Sequence, residues 1–239
     1  GKLFKSVSSK QATNLTDKSG NLEDKYVVKA VVKGKETDSS KEVKAWEQDF
    51  LTIQLNRPEK GITPPCIALN RSNGIAEEYP EGQEYTYVPG DCSVGDLDGD
   101  GEYEIIVKWN PSNQTDNSYS GITGPVYLDA YKLSGKHLWR INLGKNIRAG
   151  SHYTQFMVYD FNGEAELVCK TAPGTVDGKG KKIFLGTDDP DKDWRNLEMN
   201  KKTCGYVLQG PEYLTIFSGK TGEELHTVPY EAERGEVSS

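Results

Sequence analysis

Asp96-Leu97-Asp98-Gly99-Asp100-Gly101-Glu102-Tyr103-Glu104 runs without a break into Ile105-Ile106-Val107-Lys108-Trp109. Oxygen-bearing side chains at alternate positions can wrap one hard cation, and Gly101 permits the sharp turn between them. In that arrangement Asp96, Asp98 and Asp100 supply carboxylates, Glu102 its backbone carbonyl and Glu104 a further carboxylate. Calcium suits such a loop better than magnesium, which gives up its water reluctantly. The loop is not an EF-hand. Val107 stands at the twelfth position, where that motif has Glu, and a strand-like run follows instead of a helix. The competing reading is a solvated acidic turn.

Moving outward, the order of signals repeats. Val126-Tyr127-Leu128-Asp129-Ala130-Tyr131 leads to a turn at Ser134-Gly135-Lys136 and then to His137-Leu138-Trp139. Downstream, Asp160-Phe161-Asn162-Gly163-Glu164-Ala165-Glu166 runs into Leu167-Val168-Cys169-Lys170, and Tyr213 to Phe217 leads to a turn at Lys220-Thr221-Gly222. The acidic loops start 64 residues apart and the turn glycines lie 87 apart, so the unit repeats with insertions of unequal length. Acidic turn, strand and alternating hairpin describe a β-propeller blade better than a sandwich. A closed ring takes at least about four blades of about four strands each, so the chain is expected to hold only part of a propeller.

The second loop is two residues shorter than the first, and Asn162 replaces an Asp. Asp160, Asn162 and Glu166 can hold a cation there, and a metal-free turn is an equal reading. A third acidic cluster, Asp188 to Asp193, has no defined ligand spacing and reads as a solvated loop.

Residues 1–56 read as a small β-sandwich-like unit, resembling the last strands of a fibronectin III or immunoglobulin-like domain. Tyr26 to Val32 is a strand, Lys33-Gly34-Lys35 a turn, Ser40 to Trp46 the partner strand, and Leu51 to Leu55 continues the β region. Residues 57–84 are a Pro/Gly-rich linker and first propeller strand, and 85–239 carry the first calcium-binding blades. The expected class is therefore all-β.

Over 239 residues, 25 glycines and 11 prolines against 2 methionines exclude a helical bundle, and 10% aromatic residues argue against disorder. A net charge of -7 argues against nonspecific nucleic-acid binding, which relies on a basic surface. No apolar run is long enough to span a membrane. No leader-like stretch follows Gly1, so any signal peptide is expected to have been removed. The four cysteines, Cys66, Cys92, Cys169 and Cys204, show no paired spacing, which argues against zinc. They are expected as buried thiols, with up to two disulfides as the alternative.

Two further segments suit a polysaccharide. Asn110 to Gly121 is polar and uncharged apart from Asp116, and carries Tyr119. Such a loop can bond sugar hydroxyls and stack a pyranose face, or it can be plain surface. Lys145 to Gln155 is the one place where Lys, Arg and His gather without acids. Arg148 can pair a carboxylate in bidentate fashion, and His152 or Tyr153 can move a proton. A structural role for His152 is the competing view.

GDLDGDGEYEIIVKWNPSN, SGITGPVYLDAYKLSGKHLWRINLGKNIRAGSHYTQFMVYDF and LVCKTAPGTVDG, with GYVLQGPEYLTIF and the tail after it, closely resemble rhamnogalacturonan lyases of polysaccharide lyase family 11. The resemblance covers about residues 85–239. It implies an eight-bladed β-propeller behind a β-sandwich-like domain, several calcium ions as cofactors, and β-elimination between rhamnose and galacturonate in rhamnogalacturonan I. It places the substrate in a central cleft, where Asn113, Asn117, Lys108, Arg148, His152 and Tyr153 are the expected contacts. No catalytic base is assigned beyond His152 and Tyr153. The shortened Asp160 loop implies that one calcium site of the family pattern is lost.

Family members are about twice this length or more. The chain is therefore expected to be the N-terminal portion, its remaining blades lying further along the polypeptide or on a second chain, and it is expected to act secreted, at the cell surface or in the periplasm. The alternatives are a noncatalytic, calcium-stabilised carbohydrate-binding or scaffold fragment and, last, an adhesion-type propeller.

Overall fold

The structure is a computed structural model and describes residues 3–8, 10, 14–70, 72–116, 118–150, 154–232 and 234. Every regular element among them is a strand, so the fold is all-β, and no helix there is long and apolar enough to cross a membrane. The chain divides into two compact units, 1–52 and 53–239.

The first unit holds β1 (Lys25–Tyr26), β2 (Lys29–Val32), β3 (Lys35–Ser39) and β4 (Val43–Lys44). β2 and β3 form a hairpin whose two turn residues, Lys33 and Gly34, have φ of 51° and 78°. Positive φ at both central positions is the two-residue turn whose twist matches the strands. That turn corrects the expected pairing. The partner of β2 begins at Lys35 rather than Ser40, and Val43–Lys44 pairs instead with Lys25–Tyr26.

The second unit opens with two small ladders. β5 (Gly61–Ile62) pairs with β8 (Glu84–Tyr85), and β6 (Cys66–Asn70) pairs with β7 (Ile75–Tyr79). Residues 57–84 thus carry four strands, whereas Leu51 to Leu55, expected as a strand, is irregular. Just beyond it the backbone is bonded to side chains rather than to a neighbouring strand. The Asn56 amide donates to the Tyr131 hydroxyl at 3.1 Å, and the Asn56 carbonyl accepts from Arg140 Nη2 at 2.6 Å.

Two four-stranded antiparallel meanders follow. The first is β9 (Tyr87–Gly95), β10 (Glu104–Pro111), β11 (Tyr127–Tyr131) and β12 (His137–Asn142). The second is β13 (Phe156–Asp160), β14 (Ala165–Thr171), β15 (Tyr213–Ser218) and β16 (Glu224–Pro229). Each acidic loop joins the first two strands of its sheet, β9 to β10 and β13 to β14. The opening strands β9 and β13 lie side by side, and a Cβ added at Gly95 would come within 2.9 Å of Val158 Cγ1.

The sheets share one apolar core. Leu97, Ile106, Leu128, Trp139 and Ile141 of the first pack with Leu167, Cys169, Tyr213 and Phe217 of the second. Trp139 Nε1 donates to the Gly219 carbonyl at 2.6 Å, and a Cβ on Gly222 would lie 2.9 Å from the indole. Only a glycine lets that ring seat. Because side chains alternate along a strand, β10 buries a second set on its other face. There Val107 and Trp109 pack with Tyr87 and Tyr131.

Below that second face lies Asp129, fully buried. Its carboxylate accepts from Trp109 Nε1 at 2.9 Å, the Tyr131 hydroxyl at 2.7 Å, and Arg140 Nε and Nη2 at 2.7 and 2.6 Å. A buried charge costs little only when paired and bonded in this way. Burial, reinforced by the Asp129 bond, pushes the Tyr131 hydroxyl up to about 12. The sequence reading missed this network, since Asp129 sits in an alternating strand pattern with no motif around it.

Candidate metal centre

The first acidic loop is shaped by its own backbone. Gly99 and Gly101 have φ of 74° and 84°, a region open to glycine at little cost. The Gly101 amide donates to Asp96 Oδ2 at 3.0 Å and the Glu102 amide to Asp100 Oδ1 at 2.9 Å. Where β10 begins, the buried Glu104 turns its carboxylate back, and Oε2 accepts from the Leu97 amide at 2.8 Å.

These bonds bring three of the five predicted ligands together. Carboxylate oxygens of Asp96, Asp98 and Glu104 lie within 4.8 Å of one another. Asp100 and Glu102 stand on the exposed side of the turn. Two oxygens, Asp96 Oδ1 and Asp98 Oδ1, are buried without a hydrogen-bond partner among the described residues. Oxygens left in that state are costly unless a cation takes them.

Among the described residues, Lys132, just beyond β11, brings a positive charge to the group. Its Nζ lies 2.8 Å from Asp98 Oδ2, 3.0 Å from Asp100 Oδ2 and 3.3 Å from Glu104 Oε1. Hydrogen bonds to Asp98 and Asp100 hold its ammonium well above the ordinary lysine range. The donor set is all hard oxygen. The residues therefore fit a calcium ion, with Lys132 as the group it would meet.

The second loop uses the same fold differently. Buried Glu166 accepts from the Phe161 amide at 3.0 Å, as Glu104 does from Leu97. Asp160 Oδ1, however, accepts from the Asn162 and Gly163 amides at 3.1 and 2.5 Å, and Asn162 Oδ1 from Glu164 at 3.2 Å. The loop's polar side chains thus close on their own backbone.

Of the expected substrate contacts, Asn113 and Arg148 both bond to the 119–124 segment, and Lys108 stands on β10. Asn113 braces its own loop: Nδ2 donates to the Ile122 carbonyl at 3.1 Å, and Oδ1 accepts from the Gly124 amide at 3.0 Å. Arg148 is buried; Nη2 donates to the carbonyls of Tyr119 and Gly121, and the guanidinium lies 4.7 Å over the Tyr206 ring. Lys108 is buried on β10 and ion-paired with Asp91. Asn117, His152 and Tyr153 lie outside the described residues.

Lys170 stands four residues after Glu166, as Lys108 does after Glu104. Its Nζ is 3.1 Å from Glu212, which also meets Arg234 at 3.5 Å beside a cleft of about 600 Å³ that Asp188, Tyr213 and Tyr230 help to line.

Residues 66–239 match the C-terminal domain of rhamnogalacturonan lyase family 11, and residues 1–46 match the rhamnogalacturonan I lyase β-sheet domain. The chain belongs to rhamnogalacturonan lyase family 11. It is 49% identical over 229 residues to rhamnogalacturonan exolyase YesX of Bacillus subtilis strain 168, covering 95% of this chain and 33% of that relative. It is also 49% identical over 230 residues to rhamnogalacturonan endolyase YesW of the same strain, with the same coverage. Overall identity to family members thus does not separate exolyase from endolyase.

Among solved structures of the family, the exotype lyase YesX and the lyase YesW each superpose with a TM-score of 0.75 at 50% identity. The two superpositions take in 93% and 94% of this chain and 33% and 34% of theirs. The chain therefore spans about a third of the length of the family members it matches.

Proposed function

We propose that the protein acts as a rhamnogalacturonan lyase, cleaving the rhamnogalacturonan I backbone of pectin by calcium-dependent β-elimination between rhamnose and galacturonate. The observation that carries this reading is 49% identity, over 95% of the chain, to two proteins named as rhamnogalacturonan lyases. Such a polymer is met outside the cytoplasm, so the proposed place of action is secreted, cell-surface or periplasmic. The two meanders, with β9 and β13 side by side, are read as two blades of a propeller.

In this reading Asp96, Asp98, Asp100 and Glu104 hold calcium through carboxylates and Glu102 through its carbonyl, while Lys132 yields its place. Bound calcium supplies positive charge that fixes the loop and, at a uronate carboxylate, offsets the charge that opposes loss of the neighbouring proton. Asn113 and Arg148 set the backbone of the polar loop for the sugar chain, and Asn117 is kept as a candidate sugar contact. Proton transfer is assigned to His152 or Tyr153, and Lys108 is kept as a charged group of the first sheet.

Incubation with rhamnogalacturonan I, followed by the ultraviolet absorbance of unsaturated uronate, tests the reading. A signal abolished by a calcium chelator and lost in His152→Ala or Tyr153→Phe is the expected result. Binding of the polymer with no absorbance change would replace it by the second reading, a noncatalytic calcium-stabilised carbohydrate-binding unit.

A further inference from the structure

The four cysteines occupy three different environments. Cys169 belongs to the core between the two large sheets, and Cys92 is exposed on β9. Cys66 and Cys204 are both fully buried, in one small cluster with Ile67, Ala68 and Ile122.

Their neighbourhood is held by backbone. The amide of Ile67, next in the chain to Cys66, donates to Cys204 Sγ at 3.3 Å. In this structure both thiols are free, and the 120–122 segment packs beside them. The Leu69 amide reaches the Ser120 carbonyl at 3.4 Å, and the Gly121 amide reaches the Cys204 carbonyl at 2.8 Å. A Cβ on Gly205 would lie 2.0 Å from the Gly121 carbonyl oxygen, so the layers are in direct backbone contact. Thr63 Oγ1, 3.6 Å from Cys66 Sγ, is the polar neighbour of the first thiol.

We propose that Cys66 and Cys204 are a disulfide pair, oxidised as the chain folds, that ties strand β6 to the long segment between β14 and β15. The oxidant is a disulfide, either a small-molecule one or that of a thiol oxidoreductase. One cysteine thiolate attacks it, forms a mixed disulfide and releases a thiol. The other thiolate then attacks the protein sulfur of the mixed disulfide and releases the second thiol. The two protein thiols give up two electrons and two protons, and the oxidant disulfide is reduced to two thiols.

The pair lies 138 positions apart in sequence, and a cross-link closing so long a loop removes much of the freedom of the unfolded chain. Once the core has closed, burial raises the Cys204 thiol above its usual range and keeps it unreactive. Reduced and oxidised forms are therefore separable species. The inference is independent of the lyase reading, and disulfides of this kind persist in oxidising compartments.

The test incubates the unfolded and refolding protein with glutathione at graded oxidised-to-reduced ratios, alkylates free thiols under denaturing conditions, and maps peptides without reduction. A Cys66–Cys204 linked peptide, lighter by two hydrogens than its separate parts, with Cys169 alkylated, is expected. Alkylation of both cysteines at every ratio, or linkage of either to another cysteine, overturns the proposal. The oxidised form should melt about 10 °C above the reduced one. Cys92→Ser should keep that gap, and the double variant Cys66→Ala with Cys204→Ala should lose it. Equal melting of the two wild-type forms would remove the stabilising role. If the double variant fails to fold, the wild-type peptide map still decides.

Discussion

The loops Asp96–Glu104 and Asp160–Glu166 begin alike and end differently. Both join the first strands of a meander, and both place a buried glutamate at the start of the second strand, where it accepts an amide from the loop. In the longer loop Asp96 and Asp100 also accept loop amides, but Asp96 Oδ1 and Asp98 Oδ1 have no partner among the described residues. In the shorter one, Asp160 and Asn162 turn onto the loop's own amides. Two residues of length separate a loop that gathers three carboxylates from one that closes on its own amides. The shared glutamate is scaffold, and the middle of the loop is where a metal would be gained or lost.

The strongest way to break this comparison is to add calcium. A ligand at a hundred times its Kd stabilises the folded state by about 2.7 kcal/mol, which for a unit of this size is a rise in Tm of about 5–10 °C. Asp98→Asn should abolish that rise and Asp160→Asn should leave it. Equal losses would mean that both loops bind, or neither.

Removing the shared scaffold comes next. Glu104→Ala and Glu166→Ala each leave a loop amide without its acceptor, at a cost of about 1–3 kcal/mol by denaturant unfolding in chelator. Calcium should widen the gap to wild type for Glu104→Ala only.

A smaller effect concerns the lysine that sits where a cation is expected. Lys132→Met should lower Tm in chelator and tighten calcium binding several-fold by calorimetry, because the ion no longer displaces an ammonium. Lys220→Met, in the corresponding turn of the second sheet, should change neither. The mildest test is backbone alone. Gly101 and Gly163 have positive φ with no atom within 4 Å of an added Cβ, so alanine should cost each loop about 1 kcal/mol through conformation. Only Gly101→Ala should weaken calcium binding.

Several parts of the molecule were legible from local pattern. The alternating runs around Val126 and Tyr213, and the glycine turns after them, mark hairpins because a strand repeats every two residues and a turn needs positive φ. Five acids in one loop mark an acidic turn by residue type alone, and three of their carboxylates gather. The N-terminal hairpin was harder. Lys33-Gly34 was read as a turn, yet the polar run after it hid a strand that starts at once.

Among the described residues, the candidate substrate contacts are engaged by the fold itself. Arg148 is expected from its charge and Lys108 from the family resemblance, and burial gives each a local partner, the carbonyls of residues 119 and 121 in one case and Asp91 in the other. The Asn113 amide is used on its own loop.

Family, all-β class and the position of the acidic loops are determined by the sequence itself, because they rest on contiguous motifs and on the period of the strands. The tertiary structure alone decided the rest. Asp129 became the centre of a buried network, Lys132 reached the acidic loop, and Cys66 came to share a core with Cys204. Each of these joins residues on separate strands or turns, and such a meeting is fixed by how sheets and loops pack.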